Sequence, residues 1–144
     1  MGGDLSIGGV SDNRGDLPKL KRLLPGFRFN NAHNQYNDAY ERAAYVETRD
    51  NRDGSVMHRT FDEQGRVTAQ WERYPSKDKD SEEYSENHRF KIGEFEYWGD
   101  DDGIRFVTYE GVTYHDSDRD GFLSEQEKRD AEAAADKFRQ NPST

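Results

Sequence analysis

The chain contains no cysteine in 144 residues, which excludes a disulfide framework and any thiolate metal site. No apolar run reaches the roughly 18 residues that a membrane-spanning helix needs. No charged-then-apolar leader opens the sequence, so the chain reads as soluble, with a start compatible with a leader removed ahead of it. Positive charge is short: 21 Lys and Arg face 30 Asp and Glu, for a net charge of −9. That balance argues against a nucleic-acid partner, because phosphate binding needs clustered Lys and Arg, and it favours cations and basic surfaces. Apolar residues are also few, at 31% against 35% charged, so one modest core is expected and parts of the chain should stay solvated.

Catalytic signatures are missing as well. The four histidines, His33, His58, His88 and His115, are scattered without metal-ligand spacing. There is no nucleophile elbow, phosphate loop or dinucleotide fingerprint. Carboxylates are too numerous for one general acid–base pair to stand out.

What is present begins with aromatics at 12%, enough to argue against full disorder in a chain of one-domain length. Gly2, Gly3, Gly8, Gly9 and Gly15 make residues 1–15 a flexible arm. Its start fits the pattern for myristoylation of Gly2, and Arg14-Gly15-Asp16 spells an integrin-binding tripeptide; both patterns are short, and a flexible arm accounts for them without a function. Residues 16–144 then form a single domain. In "DLPKLKRLLPG" Asp16 caps a short helix, Pro18 fits its first turn and Pro25-Gly26 ends it. Leu17, Leu20, Leu23 and Leu24 give that helix an apolar docking face. From Asn30 to Tyr45 a weaker helical spacing places Tyr36, Ala39, Tyr40, Ala43 and Ala44 together.

From Tyr45 the period becomes two. "AYVETRD", "SVMHRTFD" and "RVTAQWERY" are separated by turns containing Gly54 and Gly65, as antiparallel hairpins require. The mixed-charge stretch Pro75 to Asn87 reads as a mobile loop. "HRFKIGEFEYW" changes apolar phase at Gly93, which predicts a bulge or tight turn there. Asp100-Asp101-Asp102-Gly103 is a further turn, followed by "IRFVTYE", Gly111 and "VTYH". The expected fold is α+β: six or seven short strands in an antiparallel meander or partly closed barrel, a short N-terminal helix and a C-terminal helix.

Two resemblances attach to particular stretches. "DGSVMHRTFDEQGRVT" (53–68) resembles one tyrosine–aspartate repeat of Rhs-type secreted shell proteins at Asp53, Gly54, Asp62, Gly65, Arg66 and Thr68, with Phe61 in the Tyr place and Val67 in the Leu place. No second copy follows, so a shell is excluded, and hairpin chemistry alone suits the same residues. "DSDRDGFLSEQE" (116–127) is the more specific match. It resembles an EF-hand loop, which takes ligands at positions 1, 3, 5, 7, 9 and 12 and a glycine at 6. Those positions are Asp116, Asp118, Asp120, the Phe122 carbonyl, Ser124 (through water) and Glu127, with Gly121 at the bend and Leu123 pointing inward.

Alternate side chains of a tightly turning loop converge on one centre, and two oxygens from Glu127 bring the set to about the number Ca²⁺ prefers. The stretch Tyr109 to His115 is rich in β-formers, so a strand–loop–helix variant is expected rather than two helices. A metal-free acidic turn is the competing reading, since Ser124 and Glu127 also spell a capping box. Beyond the loop, Ala131, Ala134, Ala135 and Phe138 form a narrow face that predicts a helix packed on the sheet. Asp50 with Asp53, and Asp100 to Asp102, lack full ligand spacing and read as turns.

The expected function is a non-enzymatic, calcium-stabilised binding or accessory module. It would be secreted, periplasmic or cell-surface, with a protein or carbohydrate partner met through an aromatic patch of Trp71, Tyr74, Tyr97 and Trp98. The alternative is a small secreted hydrolase or effector with unidentified active-site carboxylates, which would show a deep cleft instead.

Overall fold

The computed structural model describes residues 21–75 and 85–140. The arm, its two short motifs, the first half of the Leu-rich segment and residues 76–84 of the charged loop lie outside the described residues. Seven strands run as β1 (Tyr45–Asp50), β2 (Val56–Phe61), β3 (Val67–Pro75), β4 (Glu86–Ile92), β5 (Phe95–Asp100), β6 (Gly103–Tyr109) and β7 (Val112–His115). Each pairs antiparallel with the next in sequence, and β1 and β7 are the two edges. The sheet is therefore an open meander and not a partly closed barrel. Its turns follow local chemistry: Glu110 and Gly111 both take positive φ, at 53° and 78°, as a two-residue hairpin of the favoured twist demands. The phase change at Gly93 is likewise a tight turn, with Ile92 opposite Phe95.

Alternation sorts the side chains. His58, Trp71, Phe90, Tyr97, Val107 and Tyr114 lie opposite one another across β2 to β7 and form one row. Phe90, Tyr97, Val107 and Tyr114 in that row are fully buried. Burying each side chain of that size contributes about 1.5–3 kcal/mol. The cover comes from helix α1 (Ala32–Arg42), which packs on β3 and β4 through Ala32 and Tyr36, and from Phe29 just before it. The Tyr97 hydroxyl donates to Gln35 at 2.7 Å, which satisfies its one polar group; burial pushes its pKa up to about 12.

Among the described residues the helix ahead of the sheet lies at 32–42. Residues 21–26 form no helix, because Gly26 takes φ 92° and gives its N–H to the Leu123 carbonyl at 2.7 Å. Leu23 is buried there while Leu24 is 74% exposed, which breaks up the expected apolar face.

Helix α2 (Glu125–Gln140) packs on β7. Glu132 anchors it, accepting from Lys128 Nζ at 2.6 Å and from the Tyr114 hydroxyl at 3.2 Å. Of the predicted apolar face only Ala131 is buried and Ala135 half-buried; Phe138 is 73% exposed. The stripe instead lines one side of an open cleft of about 530 Å³ against Gly111, Thr113 and His115.

Candidate metal centre

Strand β7 leads into residues 116–124, and α2 leads out, a strand–loop–helix order. The backbone turns within a few residues because Arg119 and Gly121 both adopt left-handed φ, 58° and 86°. Gly121 has a second reason to lack a side chain: a Cβ there would meet the Asn30 amide nitrogen at 3.2 Å. The loop's own N–H groups point inward onto carboxylates. Gly121 N–H donates to Asp116 Oδ2 at 2.9 Å, Asp120 N–H to Asp118 at 3.2 Å and Phe122 N–H to Asp120 at 2.9 Å. Glu127 takes three: Ser117 at 2.8 Å and Asp118 at 3.3 Å on Oε2, and Ser124 at 2.8 Å on Oε1. Ser124 Oγ in turn accepts from Glu127 N–H at 3.0 Å, so the predicted capping box is formed.

One oxygen from each of Asp116, Asp118, Asp120 and Glu127 lies within 4.8 Å of all the others. Two oxygens on one Ca²⁺, each at about 2.3–2.6 Å, sit no more than about 5 Å apart, so the cluster fits that ion's reach. Asp116 is 6% exposed, and its Oδ1 has no hydrogen-bond partner. A buried carboxylate oxygen without a partner is costly. Burial pushes the Asp116 pKa up, and the neighbouring Asp118, Glu127 and Asp120 push the same way. Asp120, more exposed, is held down chiefly by the Phe122 N–H.

The centre of the loop is braced from outside. Phe29 N–H donates to the Gly121 carbonyl and Leu123 N–H to the Phe27 carbonyl, both at 2.9 Å, a short antiparallel bridge between Arg28 and Phe122. These bonds leave the Phe122 carbonyl out of the bridge. Leu123 is buried as its inward position predicts, and the Phe122 ring lies outside beneath the Arg28 guanidinium.

A second cluster was not legible in the sequence. Glu86, His88 and Asp101 also converge within 4.8 Å, but their charges and lone pairs are engaged. Trp71 Nε1–H donates to His88 Nδ1 at 3.1 Å, which leaves the His88 proton on Nε2 to bond Asp101 at 2.9 Å. Arg73 meets Glu86 through two nitrogens, at 3.1 and 2.9 Å. Asp100 similarly accepts twice from Arg105, at 3.2 Å. This end of the sheet is an ion-paired turn beside a cleft of about 240 Å³ lined by His33, His88 and Asp100 to Asp102.

The expected aromatic patch does not exist as one surface. Tyr97 and Trp98 are consecutive in a strand and face opposite ways. Tyr97 is fully buried and Trp71 shares its side of the sheet. Tyr74 and Trp98 lie on the other side, where they line a shallow depression of about 560 Å³ with Phe106, Asn87, Asp100 and Arg105.

The Rhs-like residues form two successive turns. Asp53 accepts from the Ser55 N–H and hydroxyl, at 2.9 and 2.6 Å. Asp62 accepts from the Gln64 and Arg66 N–H groups and from Arg66 Nε, each at 2.9 Å. Hairpin chemistry accounts for every matched acidic and glycine position. No family model matches the chain, and no curated protein or solved structure matches it either, so the site's own geometry carries the functional reading.

Proposed function

We propose that residues 116–127 bind one calcium ion and that the protein is a non-enzymatic binding or accessory module stapled by it. The observation that carries the reading is Asp116 Oδ1, a buried carboxylate oxygen with no partner, on a side chain that clusters with three more carboxylates. An acidic cap alone needs Ser124 and Glu127 and gives no reason to bury Asp116. A hard divalent cation satisfies that oxygen and removes the mutual repulsion in one step. Asp116, Asp118, Asp120 and Glu127 would hold it by side chains, Phe122 by its carbonyl, and Ser124 through water. The ion's role is structural, because the loop is already bonded to β7, α2 and the Gly26–Phe29 segment. Such loops suit the millimolar calcium found outside the cytosol, which favours a secreted, periplasmic or surface setting. A protein or carbohydrate partner would meet the Tyr74–Trp98–Phe106 depression.

Calorimetric titration of chelator-treated protein with CaCl2 tests this. The expected outcome is one site per chain, weakened at least tenfold, or about 1.4 kcal/mol, by Glu127→Gln. Asp116→Asn should abolish binding yet raise stability in chelator, since it removes the buried charge. Absence of binding heat at millimolar calcium, with no change in melting temperature, would leave only the acidic cap.

A further inference from the structure

The outer edge of β1 carries a second inference, independent of the metal reading. Asn51 N–H donates to the Ser55 carbonyl at 2.8 Å. With Glu47 opposite Arg59 and Arg49 opposite Met57, this bond fixes which backbone groups face β2. Alternation assigns Tyr45, Glu47 and Arg49 to the bonds with β2 and turns the N–H and C=O of Val46, Thr48 and Asp50 away from the sheet. Among the described residues no strand pairs with that edge. Exposed edges are usually blunted by proline, by charged side chains, lysine above all, or by a bulge; "YVETRD" has no proline, lysine or register shift with β2, and the charges it carries are of both signs, Glu47 and Asp50 against Arg49.

We propose that two copies of this chain join here, β1 against β1, antiparallel about a two-fold axis with Thr48 opposite Thr48. Three points select that register. The outward groups belong to even-numbered residues, so only pairings of even with even residues make the bonds. Centring on Thr48 places Val46 opposite Asp50 and makes the most of the six-residue strand. It also sets Glu47 opposite the second copy's Arg49, twice, at the non-hydrogen-bonded positions where side chains approach closest. Moving the centre to Glu47 or to Arg49 keeps the bonds but opposes like charges. Both side chains have capacity for the contact. Arg49 is exposed and makes no side-chain hydrogen bond or ion pair among the described residues, while Glu47 touches Arg59 only at 3.8 Å.

A one-strand interface is small and belongs to the weak class, so sedimentation of the full chain from about 5 µM to about 0.5 mM spans the association. The mass is expected to double over that range. Thr48→Pro removes an outward N–H and leaves the backbone ladder to β2 in place, losing only the side-chain bond from Thr48 Oγ1 to His58, and Glu47→Arg sets arginine opposite arginine at both charged positions; each should raise the dissociation constant at least tenfold. The double change Glu47→Arg with Arg49→Glu exchanges the charges and should restore the dimer, a result that misfolding cannot imitate. A chain monomeric throughout overturns the proposal, as does a dimer that both single changes leave intact or a charge exchange that rescues nothing. A monomer whose Val46 and Thr48 amides exchange slowly also overturns it, by showing that the same chain covers the edge.

Discussion

At one end of the sheet β7 lies under α2, Leu23 gives its N–H to the Tyr114 hydroxyl, and Val112 and Tyr114 are fully buried. At the other end β1 exposes every residue except Glu47, which is half-buried. Both edges are made by the same means, a short hairpin closed by a turn containing glycine. The difference comes from what reaches them across the sequence. Helix α2 and the segment around Leu23 both reach β7, whereas β1 is held by β2 alone among the described strands. Local chemistry is enough to shape an edge, but stability collects where distant segments meet.

The strongest way to break that comparison is to hollow out the buried end. Tyr114→Ala should cost about 3 kcal/mol or more, as large aromatic truncations in a core do. Val46→Ala on the exposed edge should change stability by no more than about 0.5 kcal/mol. Urea unfolding of both variants checks this, and equal effects would mean the two ends are equally organised.

Calcium should widen the contrast. At about 100 times its dissociation constant it should add roughly 2.7 kcal/mol. Amide exchange should slow in residues 116–140 and at Phe29, and stay unchanged in β1 and β2. Protection gained in β1, or growth of an apolar-dye signal on adding calcium, would argue for a switch rather than a staple.

Acid should act on the β1 half. His33 and His58 both flank Trp71, and burial lowers the pKa of each below 6.5, helped by His88 for His33 and by Arg73 for His58. A histidine whose folded pKa is lowered stabilises the fold above its unfolded pKa of about 6.5, and that contribution disappears as pH falls toward the folded value. The urea midpoint in chelator should therefore drop as pH falls from about 7 through about 6.5 and below, and less so in His33→Gln and His58→Gln.

The smallest effect is expected at Lys21–Glu94, a pair 3.5 Å apart with both side chains more than half exposed. Glu94→Gln should alter stability by less than about 0.5 kcal/mol, and salt should erase even that.

Much of this was legible from residue order. Hairpins are local objects, so Gly93, Glu110-Gly111 and the period-two runs marked the strands, and the carboxylate spacing from Asp116 to Glu127 marked the cluster. Features made by distant residues were not. The spacing from Asn30 to Tyr45 showed α1 only weakly, and the sheet contact that buries its Ala32 and Tyr36 left no mark in it. The Leu-rich segment carried a helical pattern, but its end gives its backbone to Leu123 instead. That bond and its neighbours involve main-chain atoms only, which leave no residue-type signature. The Glu86–His88–Asp101 cluster required pairing β4 with the β5–β6 turn. The aromatic patch failed on parity alone, since Tyr97 and Trp98 cannot share a face.

The bridge from Phe27–Phe29 to Gly121–Leu123 closes nearly the whole described chain into a ring. Every strand pairing joins sequence neighbours, so the meander has the short-range contacts that form early, while the ring closes last. The backbone of the first described residues therefore finds its partners only when almost the last have been made. A chain halted before Gly121 can already hold its hairpins and pack Phe27 on Phe95 and Tyr97, but it lacks the backbone bonds that fix Phe27 to Phe29 in place.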